Sequence, residues 1–212
     1  MAVSDSTAQA YTLRDPDVRL MLQVRDDDDE AFEQLMQRYQ DRLITILQHL
    51  TGVRNQAEDL AQEVFLRVYR ARKKYKPEAK FSTWLFTIAN NVASNARRTM
   101  ARRREVQAQG SGSMAVNTLS NLAQEASGLM PTRQLDKAEM TDIVRLAIQS
   151  LNERQRLAVL LSKFEEMSYA DIAESMNMTP QAIKSLLSRA RSNLREVLQP
   201  YLTEGQLPAA GK

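Results

Sequence analysis

The side chains best suited to chemistry in this sequence are those that could read or hold a nucleic acid. Between Thr179 and Leu194, Gln181, Lys184, Ser185, Ser188 and Arg189 fall on one helical face, and Ile183, Leu186, Leu187, Ala190 and Leu194 fall on the other. The outward face carries no acid. Its amide and hydroxyl groups suit base edges and its cations suit phosphates, as a helix in a major groove requires. Just upstream, Ser168 and Asp171 have the spacing of a capping box, and Tyr169, Ile172, Ala173 and Met176 share one face. Asn177-Met178 breaks that pattern, and Thr179-Pro180 restarts it as N-cap and first-turn proline. The segment therefore reads as a helix-turn-helix that binds DNA. A helical hairpin with a solvated basic face is the plainer alternative.

Two further surfaces carry unusual side chains. Phe81, Trp84, Leu85, Ile88, Ala89, Val92, Ala93 and Ala96 form a buried stripe, and the opposite face bears Thr87, Asn90, Asn91, Ser94, Asn95 and Arg98. Asparagine and serine are mediocre helix formers, so their concentration there is a poor choice for stability alone. Asparagine can bond base edges, and Arg97, Arg98 and Arg102 to Arg104 can bind phosphate. The second surface lies on the preceding helix, where Glu58, Asp59, Gln62 and Glu63 come before Arg67, Arg70, Arg72, Lys73 and Lys74. That order agrees with the helix dipole, and it equally suits an acidic patch that docks a basic partner. Charge alone leaves both readings standing.

Catalysis finds little support. The single histidine, His49, has no second imidazole to share a metal, and the chain has no cysteine. The acids near Glu58 accompany neither a glycine-rich phosphate loop nor a metal-ligand pattern. No catalytic residue, metal or cofactor is expected. Glu165-Glu166 reads as a polar loop, and the ten methionines read as apolar filler.

The elements that position these faces are helices. The 212 residues are 43% hydrophobic with few glycines, and β-branched alternation is almost absent, which predicts an all-α protein. The net charge is +3, but the arginine clusters and a pI near 9.2 matter more. Asp15-Pro16 introduces a helix to about Arg25, and the acidic run Asp26 to Glu30 leads into a second with Phe32, Leu35, Met36, Tyr39, Leu43, Ile44, Leu47 and Leu50 apolar. A third, from about Asn55 to Lys74, buries Ala57, Leu60, Ala61, Val64, Phe65 and Val68, and a fourth runs from Phe81 to about Met100. Between about Arg104 and Arg133 the pattern lapses into Gly-Ser pairs and helix breakers, with a weak helical stretch at Leu119 to Glu125. Two small helical domains joined by a flexible linker follow, the C-terminal one a helix-turn-helix. No signal peptide or membrane-length apolar run is visible, so a cytoplasmic protein with no membrane partner is expected.

Three blocks together resemble bacterial sigma factors of the extracytoplasmic-function group in the sigma-70 family. Ala57-Glu-Asp-Leu-Ala-Gln-Glu-Val-Phe65 is similar to the family's polymerase-docking motif. Phe81-Ser-Thr-Trp-Leu-Phe-Thr-Ile-Ala-Asn-Asn91 is similar to the segment that engages the promoter minus-ten element, and Leu151-Asn-Glu-Arg-Gln-Arg-Leu157 plus the helix-turn-helix to the minus-thirty-five reader. The resemblance implies a region 2 domain over residues 14–104, a linker over 105–136, a region 4 domain over 137–202 and a disordered tail over 203–212. It implies a promoter-specificity subunit that binds the clamp helices of the largest subunit of bacterial core RNA polymerase through Glu58, Asp59, Gln62 and Glu63. Asn91 would line a pocket for a base flipped from the nontemplate strand, with Asn90, Asn95 and Arg98 beside it on the minus-ten face. Gln181, Lys184, Ser185, Ser188 and Arg189 would meet minus-thirty-five DNA.

Leu186 and Ser188 depart from the arginine and bulky residue common in the family. Leu85 follows Trp84 where housekeeping members carry a second aromatic, which implies weaker melting. Family members are often held inactive by an anti-sigma factor, for which no surface is legible. A stand-alone helix-turn-helix regulator would explain Gln181 to Arg191 but neither the acidic helix nor the asparagine face.

Overall fold

A computed structural model describes residues 11–110 and 137–204. All regular structure among them is helical. Asp15 opens α1 (Pro16–Arg25), its carboxylate accepting from the Asp17 amide at 2.9 Å with Pro16 at the first helical position. Asp28 does the same for α2 (Asp29–Thr51) through the Ala31 amide at 3.0 Å. The acidic run is thus partly a helix start, with Asp29 and Glu30 in the first turn. Gly52 ends α2 at φ 79°, a left-handed conformation that glycine adopts without a Cβ clash. α3 (Arg54–Ala71) follows and tightens into a 3-10 turn, Arg72–Lys74.

α4 (Phe81–Gly110) lacks a capping residue of its own kind before it, and Asp15 supplies one from a distance. Its second carboxylate oxygen accepts from the Phe81 amide at 3.1 Å, so one side chain caps two helices. α1 to α4 bury Val18, Met21, Leu35, Leu43, Leu47, Val64, Val68, Phe81 and Leu85 in a common core. Tyr39 is held there by donating to Asp17 at 2.6 Å, and burial with that carboxylate pushes its phenol pKa up. α4 extends ten residues past the expected end at Met100, taking in part of the segment read as linker. Arg102 to Gln109 are mostly good helix formers, which lets the helix continue beyond its buried stripe. The helical stretch expected at Leu119 to Glu125 lies outside the described residues, as do positions 205–212 of the tail, whereas Thr203 and Glu204 continue the last helix.

The second unit comprises α5 (Lys137–Ser150), α6 (Glu153–Lys163), α7 (Tyr169–Ser175) and α8 (Pro180–Glu204). Full capping boxes start α6, from Asn152 and Gln155, and α7, from Ser168 and Asp171. The Arg156 guanidinium gathers the carbonyls of Ile148, Gln149 and Leu151 at 3.1, 2.5 and 3.0 Å, neutralising the exposed end of α5. Leu151, Ala158, Leu160, Leu161, Ile172, Ile183 and Ala190 form the core of this unit.

The two units pack directly on one another. α7 lies on α4 and α6 on α2. Ser175, buried, donates its hydroxyl to the Thr83 carbonyl at 3.1 Å, and Arg156 reaches across to the His49 carbonyl at 3.1 Å. Ion pairs join Arg42 to Glu165, Arg97 to Glu153 and Lys80 to Asp171, the last at 3.1 Å.

Candidate protein-docking and nucleic-acid interfaces

The acidic face of α3 is exposed because its apolar stripe, Ala57, Ala61, Val64, Phe65 and Val68, is buried against α2 and α4. Glu58 accepts from Arg54 at 2.9 Å and Glu63 from Arg67 at 2.7 Å, each one turn away on the same helix. Asp59 and Gln62 stand exposed between them. Beside these residues the structure opens a groove of about 710 Å³ between α2 and α3. Phe32, Met36, Ile44, Phe65, Leu66 and Tyr69 line it, with Glu58 and Gln62 at its edge; Asp59 and Glu63 lie outside the lining. Leu66 is 45% exposed there. The surface is thus amphipathic, where sequence reasoning found only its charge. The available signal was Leu66 itself, a leucine out of register with the buried stripe.

On α4, Asn91, Asn95 and Arg98 are exposed together, as helical spacing required. Asn90 differs. It is half-buried, and its side-chain amide donates to the Ser175 carbonyl at 3.3 Å. Arg97, which pairs with Glu153, is also drawn inward; burial lowers its pKa against the pull of that glutamate, and its Nη1 is buried with no hydrogen-bond partner among the described residues. These residues border a polar cleft of about 720 Å³ between the units, closed on the far side by Asn152, Arg154 and Asn177. Trp84 packs edge-on to Tyr75 at 4.9 Å and lies 6.1 Å from Phe81, as its place on the apolar stripe predicts.

On α8, Gln181, Lys184, Ser185, Ser188 and Arg189 are all exposed, while Ile183, Leu187 and Ala190 are buried beneath them. Thr179 caps the helix by accepting from the Ala182 amide at 3.2 Å. Asn177, at φ 51°, makes the turn from α7; asparagine tolerates that left-handed conformation better than most residues. The exposed groups are amide, hydroxyl and cation only, which can bond base edges and neutralise phosphates but perform no covalent step.

His49 lies on α2 at the junction with the second unit. Its ring sits 6.0 Å from Phe164, and burial, then Arg145 and Arg156, lower its pKa. No cluster of metal-binding residues occurs among the described residues, and no described helix is long and apolar enough to cross a membrane. Glu165 lies in the polar loop expected between α6 and α7, but its side chain is 1% exposed and held by Arg42. No local signal marks it, since its partner lies on the other unit.

Comparison with known proteins places these surfaces in a family context. Residues 35–104 match the profile described as Sigma-70 region 2, and residues 141–194 match Sigma-70, region 4. The RNA polymerase sigma-H factor of Pseudomonas aeruginosa is 31% identical over 90% of this chain and 98% of its own length. The ECF RNA polymerase sigma-E factor of Haemophilus influenzae is 31% identical over 88% and 97%. Among solved structures, the sigma factor RpoE in complex with the anti-sigma factor NepR from Bartonella quintana aligns at TM-score 0.58 and 26% identity, covering 79% of this chain and 96% of that one. CnrH in complex with the cytosolic domain of CnrY aligns at TM-score 0.59 over 85% and 96%; at 19% identity it speaks for the fold alone.

Proposed function

Because the chain belongs to the extracytoplasmic-function group of the sigma-70 family, binding core RNA polymerase and directing promoter-specific transcription initiation, we propose how its surfaces divide that work. Residues 14–104 act as region 2 and residues 137–202 as region 4, joined by a linker at 105–136. Glu58, Asp59, Gln62 and Glu63 meet the basic clamp helices of the largest polymerase subunit, and the neighbouring groove with Leu66 takes an apolar side chain of the same partner. Burying apolar surface at the centre with charge at the rim is how such interfaces gain both affinity and register.

Asn91, Asn95 and Arg98, with Asn90, read the minus-ten element. A melted strand exposes Watson–Crick edges that the duplex hides, so capturing one flipped base in the Asn91 region stabilises the open state. Gln181, Lys184, Ser185, Ser188 and Arg189 dock in the major groove at minus thirty-five. The observation that carries this reading is the α8 face: five polar positions exposed in one register, free of acids, over a buried apolar stripe. The chain works without catalysis, metal or cofactor, and in the cytoplasm, where core polymerase acts. An anti-sigma factor is a fitting further partner, since RpoE of Bartonella quintana was solved with one.

Run-off transcription with purified bacterial core polymerase on the DNA upstream of the chain's own coding sequence tests the proposal. Discrete transcripts that depend on the protein, and that vanish with Asn91→Ala although core binding persists, are expected. Loss of core binding by Asn91→Ala would overturn the division of surfaces on the first domain.

A further inference from the structure

The polar cleft between the two units gathers groups that the promoter assignments leave without a role, Arg97, Arg154 and Asn177 among them. Its lining sets three guanidiniums, those of Arg97, Arg98 and Arg154, against one carboxylate, Glu153, so the cleft is cationic. Arg97 comes from α4 and is half-buried. Its Nη2 donates to the Ser94 hydroxyl at 3.2 Å and pairs with Glu153, while its Nη1 is buried with no hydrogen-bond partner among the described residues. A buried charged donor left unsatisfied is costly, and an anion that reaches it removes the cost. Burial lowers the Arg97 pKa more than Glu153 restores it, so that carboxylate compensates the guanidinium incompletely.

The second source of positive potential is α6. Asn152, Glu153 and Arg154, its N-cap and first two residues, line the cleft, which puts the positive end of that helix dipole there. Leu157, Met176 and Met178 make the lining partly apolar, and methionine sulfur packs well against the edge of a flat aromatic ring. Asn90 and Asn177 add amides that can bond the edge of a heterocycle. The volume, about 720 Å³, falls within the range of about 300–1,000 Å³ usual for small-molecule sites. Charge for phosphate, a surface for a planar ring and amides for its edge together match a nucleotide. We propose that the cleft binds a nucleoside polyphosphate, with its phosphates on Arg97, Arg154 and the α6 N-terminus and its base against Met176 and Met178. The site goes beyond the promoter-reading faces and does not depend on them, since the same binding is expected with neither DNA nor polymerase present.

Equilibrium dialysis of the full chain against labelled GTP and labelled ATP, without magnesium and at about 0.1 M salt, tests the site. Saturable binding of at least one of them at one site per chain is expected, with inorganic triphosphate competing at least about 10-fold more weakly than the unlabelled nucleotide. Arg97→Gln removes the buried donor and should weaken binding by about 10-fold or more. Because Arg97 is half-buried, circular dichroism checks that this variant keeps its helicity. Arg154→Ala, at an exposed position, is a second variant, with an expected loss of about 5- to 10-fold. Arg195→Ala, exposed on α8 and outside the cleft, should bind as the wild type does. No saturable binding of either nucleotide would overturn the proposal. So would equal losses in Arg97→Gln, Arg154→Ala and Arg195→Ala, which would mark attraction to the basic surface as a whole. Triphosphate competing as well as GTP and ATP would overturn the assignment of a nucleotide. Core polymerase and DNA are absent throughout, so a failure of the promoter surfaces proposed above leaves these outcomes unchanged.

Discussion

Asn90 donates its side-chain amide to the main-chain carbonyl of Ser175 at 3.3 Å, linking the asparagine face of one domain to the helix-turn-helix of the other. Its neighbour Asn91 is exposed. Adjacent asparagines on one helix thus have different availability, because successive positions are rotated by 100° and only Asn90 faces α7.

Asn91 is accordingly the residue to change when testing promoter opening. Asn91→Ala should weaken formation of the open complex by roughly 10- to 100-fold, the worth of about 1–3 kcal/mol for a well-made base contact. Permanganate reactivity of the melted strand reads this, with native-gel binding to core polymerase expected to be unchanged.

The docking face should respond to charge and to apolar surface separately. Asp59→Arg with Glu63→Arg places like charges against a basic partner, a cost on the order of several kcal/mol, and should abolish core binding. Leu66→Asp should weaken core binding while leaving helicity intact, because the side chain is already 45% exposed. Equal core affinity for Leu66→Asp and wild type would remove the groove from the interface.

On α8, cation and amide changes should have different signatures. Lys184→Ala should lower DNA affinity of the holoenzyme nearly uniformly across sequences and reduce the salt slope by about 1. Gln181→Ala should relax preference at one base pair, a difference of about 1–3 kcal/mol between right and wrong base. Binding to a panel of minus-thirty-five variants at two or more salt concentrations separates the two.

The cross-domain carboxylates should respond to pH in opposite senses. Burial raises the pKa of Glu165, and Arg42 only partly offsets it. A raised pKa contributes stability below the unfolded value that is lost as pH rises through the folded one. Ionised Glu165 is therefore a burden at neutral pH, and Glu165→Gln should keep or raise the melting temperature there. Asp171 is the reverse: burial would raise its pKa, but bonds from Ser168 and Lys80 outweigh that and hold it below the usual aspartate value. Its contribution is present above the unfolded pKa of 3.8 and is lost as pH falls through the lower folded value. Asp171→Asn should hence lower the melting temperature at pH 7 and make little difference in strong acid. Thermal scans across that range check both signs.

Helix faces were legible from sequence because they follow from a local repeat. The capping boxes, the stripe from Ala57 to Val68, and the exposed set Gln181, Lys184, Ser185, Ser188 and Arg189 each depend on residues within a few turns of one another. The all-α class followed from the same repeat, and three motifs in order were enough to indicate the family. The end of α4 was misjudged for a related reason: the apolar stripe read from the sequence stops at Ala96, but helix propensity carries the backbone on to Gly110. What only the tertiary structure decided is which faces meet. Asp15 capping a helix that starts at Phe81, Leu66 completing a groove, Glu165 buried by Arg42, and Asn90 engaged by Ser175 all join residues far apart in the chain. Periodicity tells which side of a helix seeks cover; the partner that covers it is chosen by the shape and charge of the whole assembled surface.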